Sequence, residues 1–311
     1  MQNKVAIILW LYHTDLAEEF IRLLDPHKDN IDIFLGLCKD HNNQNAEELF
    51  LSTFPNNLHI EYLDNGGTDI LPTLKLLEKC LDYPIFFKLH SKKSNWGVHR
   101  HINWRCVLLN DILFQDNFYE TIRSLNMKHI GIVGSKVFTM RQNEYTNSQN
   151  ILQLCSLLGI DYKNFSRKYF IGGNIFAAKT SIFKPLLYNQ KIYDLLSNEV
   201  GNIKDDAGGT YVHSMERIFG YMAEYHNKLI LGAPFKTKII LNHKTKPHRL
   251  HMVHLYNNDC YIQENPNIYG SIVRDDSAHI DILWKHVQTN QFQSYIKYKS
   301  FLINTNTHVN S

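Results

Sequence analysis

The chain has 311 residues, 44% of them hydrophobic, and a formal charge of +3 with neutral histidines. That length supports one large α/β domain or two modest ones. The near-balanced charge lacks the basic bias of a nucleic-acid binder, so no nucleic-acid partner is expected, and it is compatible with weak attraction to an anionic membrane surface without requiring it.

The first residues, Met1-Gln2-Asn3-Lys4, lack a signal-peptide layout. The apolar run from Val5 to Leu11 is shorter than a signal core or a membrane span and reads as a first strand. A cytoplasmic location is therefore expected, with peripheral contact at the inner face of the cell membrane as its extension. Five scattered cysteines, odd in number and without a C-x-x-C pair, read as reduced thiols. No zinc-type spacing organises the 17 histidines.

The first part alternates strand and helix. Strands are expected over 5–11, 31–37, 58–63 and 85–90, and helices over 15–24, 46–54 and 70–80. Such alternation implies a parallel sheet with ligands at the carboxyl ends of its strands. Residues 101–124 read as largely helical, and 130–134 as a short buried strand. A loop leading into a helix follows over 141–158. Residues 169–178 read as a strand interrupted by Gly172-Gly173, and helices are expected over 180–187 and 210–224. No linker or repeat divides the chain. One catalytic domain is expected over 1–244, with a nucleotide-binding half to about 135 and an acceptor half after it. A C-terminal extension over 245–311 is expected to be helical, including a basic-aromatic stretch at 292–303.

Five places carry the candidate chemistry. Tyr12-His13 ends the first strand, where Tyr could stack on a base and His could contact a phosphate; an ordinary strand-to-helix turn is the other reading. Asp64-Asn65-Gly66-Gly67-Thr68-Asp69 opens a helix. Its glycines allow close backbone approach, and Asn65 and Asp69 suit ribose or sugar hydroxyls, although Thr68 or Asp69 could equally cap the helix. Strand 85–90 runs into His90-Ser91-Lys92-Lys93, a cationic strand end suited to a diphosphate, and Lys88 alternates with His90 so that both can face one side of the sheet. Arg105 suits a phosphate or an ion pair. Gly172 and Gly173 imply a bulge or the close approach of a sugar or a neighbouring helix. Finally, His213 and Glu216 lie three apart on a helix and share a face. Glu216, His213 and Asp206 are the candidates for a base that deprotonates an acceptor hydroxyl.

In order, these pieces resemble the rhamnan synthesis F family of bacterial polysaccharide glycosyltransferases. The residues that carry the resemblance are Asn65-Gly66-Gly67-Thr68-Asp69-Ile70, Leu89-His90-Ser91-Lys92-Lys93-Ser94 and Trp104-Arg105, then the strand Ile130 to Gly134, the Gly172 to Ala178 run, and Gly209-Thr210 through His213 to Glu216-Arg217. Together they span about residues 5–232. Two positions depart from the family pattern: Thr68 stands where Arg is frequent, and Gly208 where Asp is frequent, which moves the expected base to Glu216.

The resemblance implies a glycosyltransferase A-type fold, with a Rossmann-like, mostly parallel central sheet flanked by helices. It also implies transfer of a sugar from a nucleoside-diphosphate donor, UDP- or dTDP-linked first among the candidates, to a glycan or lipid-linked glycan, with inversion. Many such enzymes carry Asp-x-Asp at the strand end occupied here by Leu89-His90, which suggests donor binding without a metal. A divalent cation, Mg2+ or Mn2+, held by Asp64, Asp69 or the later histidines stays open. The alternative is a non-catalytic glycan- or nucleotide-binding protein on the same fold.

Overall fold

The computed structural model describes residues 4–93, 104–136, 138–141, 147–165, 168–199, 209–233, 240–241, 250–256 and 259–265. In chain order the elements are β1 (Val5–Trp10), α1 (Ala17–Leu24), β2 (Ile31–Cys38), α2 (Gln44–Thr53), β3 (Leu58–Leu63), α3 (Ile70–Leu77) and β4 (Ile85–His90). Next come α4 (Trp104–Leu113), α5 (Asp116–Asn126), β5 (Ile130–Ser135), β6 (Thr139–Arg141), α6 (Ser148–Leu157), β7 (Tyr169–Ile171), β8 (Phe176–Lys179) and α7 (Thr180–Phe183). The series ends with α8 (Gln190–Ser197), α9 (Tyr211–Tyr225), β9 (Leu229–Ala233), β10 (Ile240–Leu241), β11 (Leu250–Tyr256) and β12 (Asp259–Asn265).

The central sheet has seven strands in the order β3-β2-β1-β4-β8-β5-β9. Its pairings are parallel except at β8, which runs antiparallel to both β4 and β5. Every residue of β1 and of β4 is buried, as expected when helices cover both sheet faces; β1 is an unbroken apolar run, whereas β4 carries Lys88 and His90 among its apolar residues. The edge strand β3 is only partly covered. Consecutive residues of β4 feed opposite layers. Phe86 packs edge-on to Phe183 at 5.1 Å, beneath α9, while Phe87 stacks on Phe118 of α5 at 5.3 Å. Burying each of these rings is worth about 1.5–3 kcal/mol.

After β1 the chain moves outward to β2 and β3, then returns to place β4 on the other side of β1. Trp10 is level with His90 in that pairing. The carboxyl ends of β1 and β4 therefore flank a topological switch point, where open α/β sheets bind ligands.

Three expectations are corrected here. The helix read over 101–124 is two helices, broken where Gln115 adopts a φ of 50°. The single glycine-interrupted strand is two strands in different sheets: β7 pairs with β6, β8 joins the central sheet, and Gly172-Gly173-Asn174 lies in the turn between them. In the expected helical extension, residues 250–256 and 259–265 instead form a β-hairpin with a third strand, β10. The 292–303 stretch lies outside the described residues. Among the described residues, no helix is long and apolar enough to cross a membrane.

Candidate active site

The strand β4 builds the site by alternation. Phe86, Lys88 and His90 share a face; Phe86 sits in the core, and Lys88, one step nearer the switch point, is fully buried with its ammonium among polar groups. Its Nζ donates to Asp69 Oδ2 at 2.6 Å and to the Asn174 carbonyl at 2.8 Å. Asn174 Nδ2 donates to the same Asp69 oxygen at 2.7 Å. His90 follows, with Nε2–H donating to the Gly173 carbonyl at 2.9 Å and Nδ1 facing Asp69 Oδ1 at 3.9 Å.

Asp69 reaches this position because the turn before α3 is tightly specified. Gly67 has a φ of 64° and donates its N–H to the Glu199 carbonyl at 2.8 Å. Thr68 adopts a φ of 51°, a conformation that is a genuine outlier for a β-branched residue. Asp69 then occupies the N-cap position of α3, yet its side chain makes no cap hydrogen bond. It crosses to Lys88 and Asn174 instead, so the capping reading of Thr68 and Asp69 does not hold. Gly66 packs against the backbone of Ser197 at the end of α8, and Asn65 is half-buried beside it.

Burial alone would raise the Asp69 carboxyl. The charges of His90 and Lys88, the Lys88 hydrogen bond and the charge of Lys92 outweigh it and hold Asp69 well below the usual carboxylate range. Lys88 is pushed down by burial, against the pull of Asp69 and Glu216. For His90, burial dominates over Asp69 and brings its pKa to about 3. Burial thus opposes the charged form that a role as a cation for a diphosphate would need.

Two of the other cations pair with carboxylates, which for Arg105 is one of the two readings its sequence left open. Lys93 pairs with Asp15 at 2.5 Å on an exposed surface. Arg105 makes a two-point ion pair with Glu19, Nε to Oε1 at 2.9 Å and NH2 to Oε2 at 2.7 Å, and its NH1 donates to the Lys92 carbonyl. Its contacts therefore fasten α4 to α1 and to the segment after β4. Lys92 is half-buried and close enough to bear on the charge state of both Asp69 and His90.

The Gly172-Gly173 turn answers to a neighbouring helix. Gly173 has a φ of 82°, donates its N–H to Glu216 Oε1 of α9 at 2.8 Å and gives its carbonyl to His90. Gly172 donates to the Phe138 carbonyl at 2.8 Å. Glu216 Oε2 accepts from Arg217 NH1 at 3.0 Å, so both carboxylate oxygens are engaged. One turn earlier, His213 Nδ1 lies 2.7 Å from the Thr210 hydroxyl, which also caps α9 by accepting from the His213 N–H. The Glu199 carboxylate accepts from the N–H groups of Tyr211 and Val212 at 2.7 and 2.8 Å, favourable at a helix N-terminus. Asp206 lies outside the described residues.

At the end of β1, the His13 N–H donates to Ser91 Oγ at 2.7 Å, which ties the β1 and β4 loops across the switch point. The Tyr12 ring centroid is 5.0 Å from that of His13, edge-on, and 4.4 Å from that of His41, and His41 Nδ1 is 3.0 Å from the Tyr12 carbonyl.

The structure thus gathers Asp69, His90, Gly173 and Glu216 into one network and places Tyr12, His13 and Lys92 around the adjoining loops. It leaves Lys93 and Arg105 in ion pairs of their own. Asn174, Ser91, His41 and Glu199 had no assigned role in the sequence. Asn174 lay within a singled-out motif, but its contact depends on a chain reversal that the local sequence does not display. Among the described residues no group of three His, Cys, Asp or Glu side chains is arranged to hold a metal ion.

Fold and site together define an α/β protein with a buried polar network at the carboxyl edge of a mostly parallel sheet. The chain belongs to the RgpF family, rhamnan synthesis protein F, whose profile matches residues 1–228. No protein of curated function matches it. Among solved structures, it is similar to the mannosyltransferase PcManGT from Pyrobaculum calidifontis in complex with GDP-Man and Mn2+, with a TM-score of 0.40 and 14% identity over 76% of this chain and 56% of that one. It is also similar to S. aureus TarS 1–349, with a TM-score of 0.36 and 11% identity over 70% of this chain and 64% of that one. The chain spans less than two thirds of the length of either.

Proposed function

We propose that this chain is a glycosyltransferase that moves a sugar from a nucleoside-diphosphate donor to a glycan or lipid-linked glycan. The setting is assembly of a bacterial surface polysaccharide such as capsule, O-antigen or a cell-wall polymer, at the cytoplasmic side of the membrane. The observation that carries this reading is the Asp69–Lys88–Asn174–His90 network at the β1/β4 switch point of a rhamnan synthesis protein F family member.

In this reading the Tyr12 ring stacks on the base, with UDP- and dTDP-linked sugars first among the donors. Asp69 presents Oδ1, within 3.3 Å of the Thr68 hydroxyl, to a ribose or sugar hydroxyl. Lys92 offsets the charge that develops on the departing diphosphate. With Nδ1–H donating to Thr210 Oγ1, His213 carries its lone pair on Nε2 and takes the acceptor proton. The acceptor oxygen forms the new bond to the anomeric carbon as the bond to the diphosphate breaks, with inversion. Glu216, whose two oxygens hold Gly173 and Arg217, is a positioning residue.

A divalent cation fits the described carboxylates poorly. Asp69 Oδ2 is 2.6 Å from an ammonium, and Asp64 is paired with Lys39 at 3.1 Å.

The test is donor turnover. Purified protein is incubated with UDP-, dTDP- and GDP-sugars, with and without a glycan acceptor, and release of the nucleoside diphosphate is followed. Release from one donor supports the transferase. Binding of a donor without any release, with or without acceptor, supports the alternative of a non-catalytic binding protein.

A further inference from the structure

A groove of about 450 Å³ runs along the flank of the molecule, between the edge strand β3, the second half of α3 and the segment leading into α8. Its lining shares no residue with the polar network at the switch point. Lys75, on its α3 wall, lies six residues beyond Asp69, or about 9 Å along the helix axis.

Its most unusual feature is Tyr188. The side chain is 67% exposed, and the backbone has a φ of 59°, a strained conformation for a bulky residue. The strain is held in place by its surroundings. The Tyr188 N–H points at both Glu78 Oε1, at 3.3 Å, and Tyr193 Oη, at 3.2 Å, while the Tyr193 hydroxyl donates to the same Glu78 oxygen at 2.5 Å. Strained residues that persist because neighbours over-determine them cluster at ligand clamps. Here the effect is to hold a large aromatic ring out in water beside a second tyrosine. A rigid, amphipathic tyrosine gives contact area at low entropy cost.

The charges narrow the ligand. Glu61 and Glu78 on the groove wall are matched by Lys75 and Lys79, with Lys79 paired to Glu61 at 3.4 Å. A balanced set selects neither a phosphate nor a cation. It offers carboxylate acceptors and ammonium donors around two aromatic rings. That suits a ligand with an apolar face and a rim of hydroxyls, which is a neutral sugar ring.

We propose that this groove is a binding site for the neutral polysaccharide on which the enzyme works, gripping the chain outside the catalytic site; it rests on the transferase reading above. Tyr188 is its principal contact.

The experiment measures binding of a linear rhamnose oligosaccharide of about six units by calorimetry, to the full chain and to Tyr188→Gly and Tyr188→Phe. Glycine relieves the positive-φ strain, so that variant keeps the fold. The expected result is saturable binding by the parent chain, retention in Tyr188→Phe, and weakening by about tenfold or more in Tyr188→Gly. Stabilisation by UDP and dTDP is measured in parallel and is expected to be the same in all three proteins. Equal oligosaccharide binding by Tyr188→Gly and the parent overturns the proposal. So does absence of oligosaccharide binding in a parent chain that a nucleotide stabilises. Absence of both nucleotide and oligosaccharide binding removes the transferase reading itself, and the groove assignment with it.

Discussion

Lys88 and Asp69 meet at 2.6 Å with the lysine side chain entirely shielded from water. One lies within a buried strand and the other opens the helix before it in sequence, so this pair fastens α3 to the sheet at the proposed donor site. Removing one partner of a buried pair leaves an uncompensated charge, at a cost of about 3–5 kcal/mol. Lys88→Met is therefore expected to lower unfolding stability by about that amount, whereas the double variant Lys88→Met/Asp69→Asn recovers part of it. Urea unfolding of the two singles and the double gives the coupling. Additive losses would mean that the two side chains do not depend on each other.

His90 gives the fold a dependence on pH. Its pKa falls to about 3 through burial, below the ordinary value of 6.5. Between those values the unfolded chain binds a proton that the folded chain refuses. The contribution is present in full above pH 6.5 and is lost as pH falls towards 3, at about 1.4 kcal/mol per unit for one proton. His90→Gln is expected to flatten the slope of stability against pH between 6 and 4 by about one proton's worth. An unchanged slope would show that His90 is already protonated in the folded protein.

Two partly buried side chains on one face of α9, His213 and Glu216, separate a base from a positioning group. His213→Ala is expected to lower kcat by about 10²–10⁴ with little change in donor affinity. Glu216→Gln keeps an oxygen for the Gly173 N–H and is expected to retain turnover to within about tenfold. The reverse pattern in transfer assays would return the base to Glu216.

The lysines after β4 differ although they are adjacent. Lys93 spends its charge on Asp15 at the surface, and such exposed pairs contribute little. Lys93→Ala is expected to leave nucleotide affinity within about twofold, while Lys92→Ala weakens it by about tenfold through loss of a charge-assisted contact. Titration of a labelled nucleotide compares the two directly.

The parallel half of the sheet was legible because β1 is a continuous apolar run and β2 and β4 are largely apolar, the mark of strands covered on both faces. Two breaks were not. Gln115 takes a positive φ without being glycine, so nothing in its identity announces the end of α4. Gly172-Gly173 was visible as an interruption, but not that β7 and β8 enter different sheets. At the site, the alternation of Lys88 and His90 placed both on one face correctly. Their charges could not be read the same way. Local sequence shows a cationic cluster, whereas burial neutralises His90, and Asp69 and Asp15 take up Lys88 and Lys93. Asn174 became visible only through the fold, since its partner Asp69 lies 105 residues away.

The central claim is a nucleoside-diphosphate site at the β1/β4 switch point. It is tested most directly by the shift in melting temperature with UDP, dTDP, GDP, ADP and CMP, each in EDTA and in Mn2+, for the parent chain and Lys92→Ala. A ligand that binds only the folded chain stabilises it by mass action, by about 2.7 kcal/mol at a hundredfold excess over Kd. The expected result is a rise with one nucleoside diphosphate that survives EDTA and shrinks in Lys92→Ala. A rise that needs Mn2+ and is untouched by Lys92→Ala would contradict the site as drawn, and no rise with any nucleotide at millimolar concentration would contradict the claim altogether.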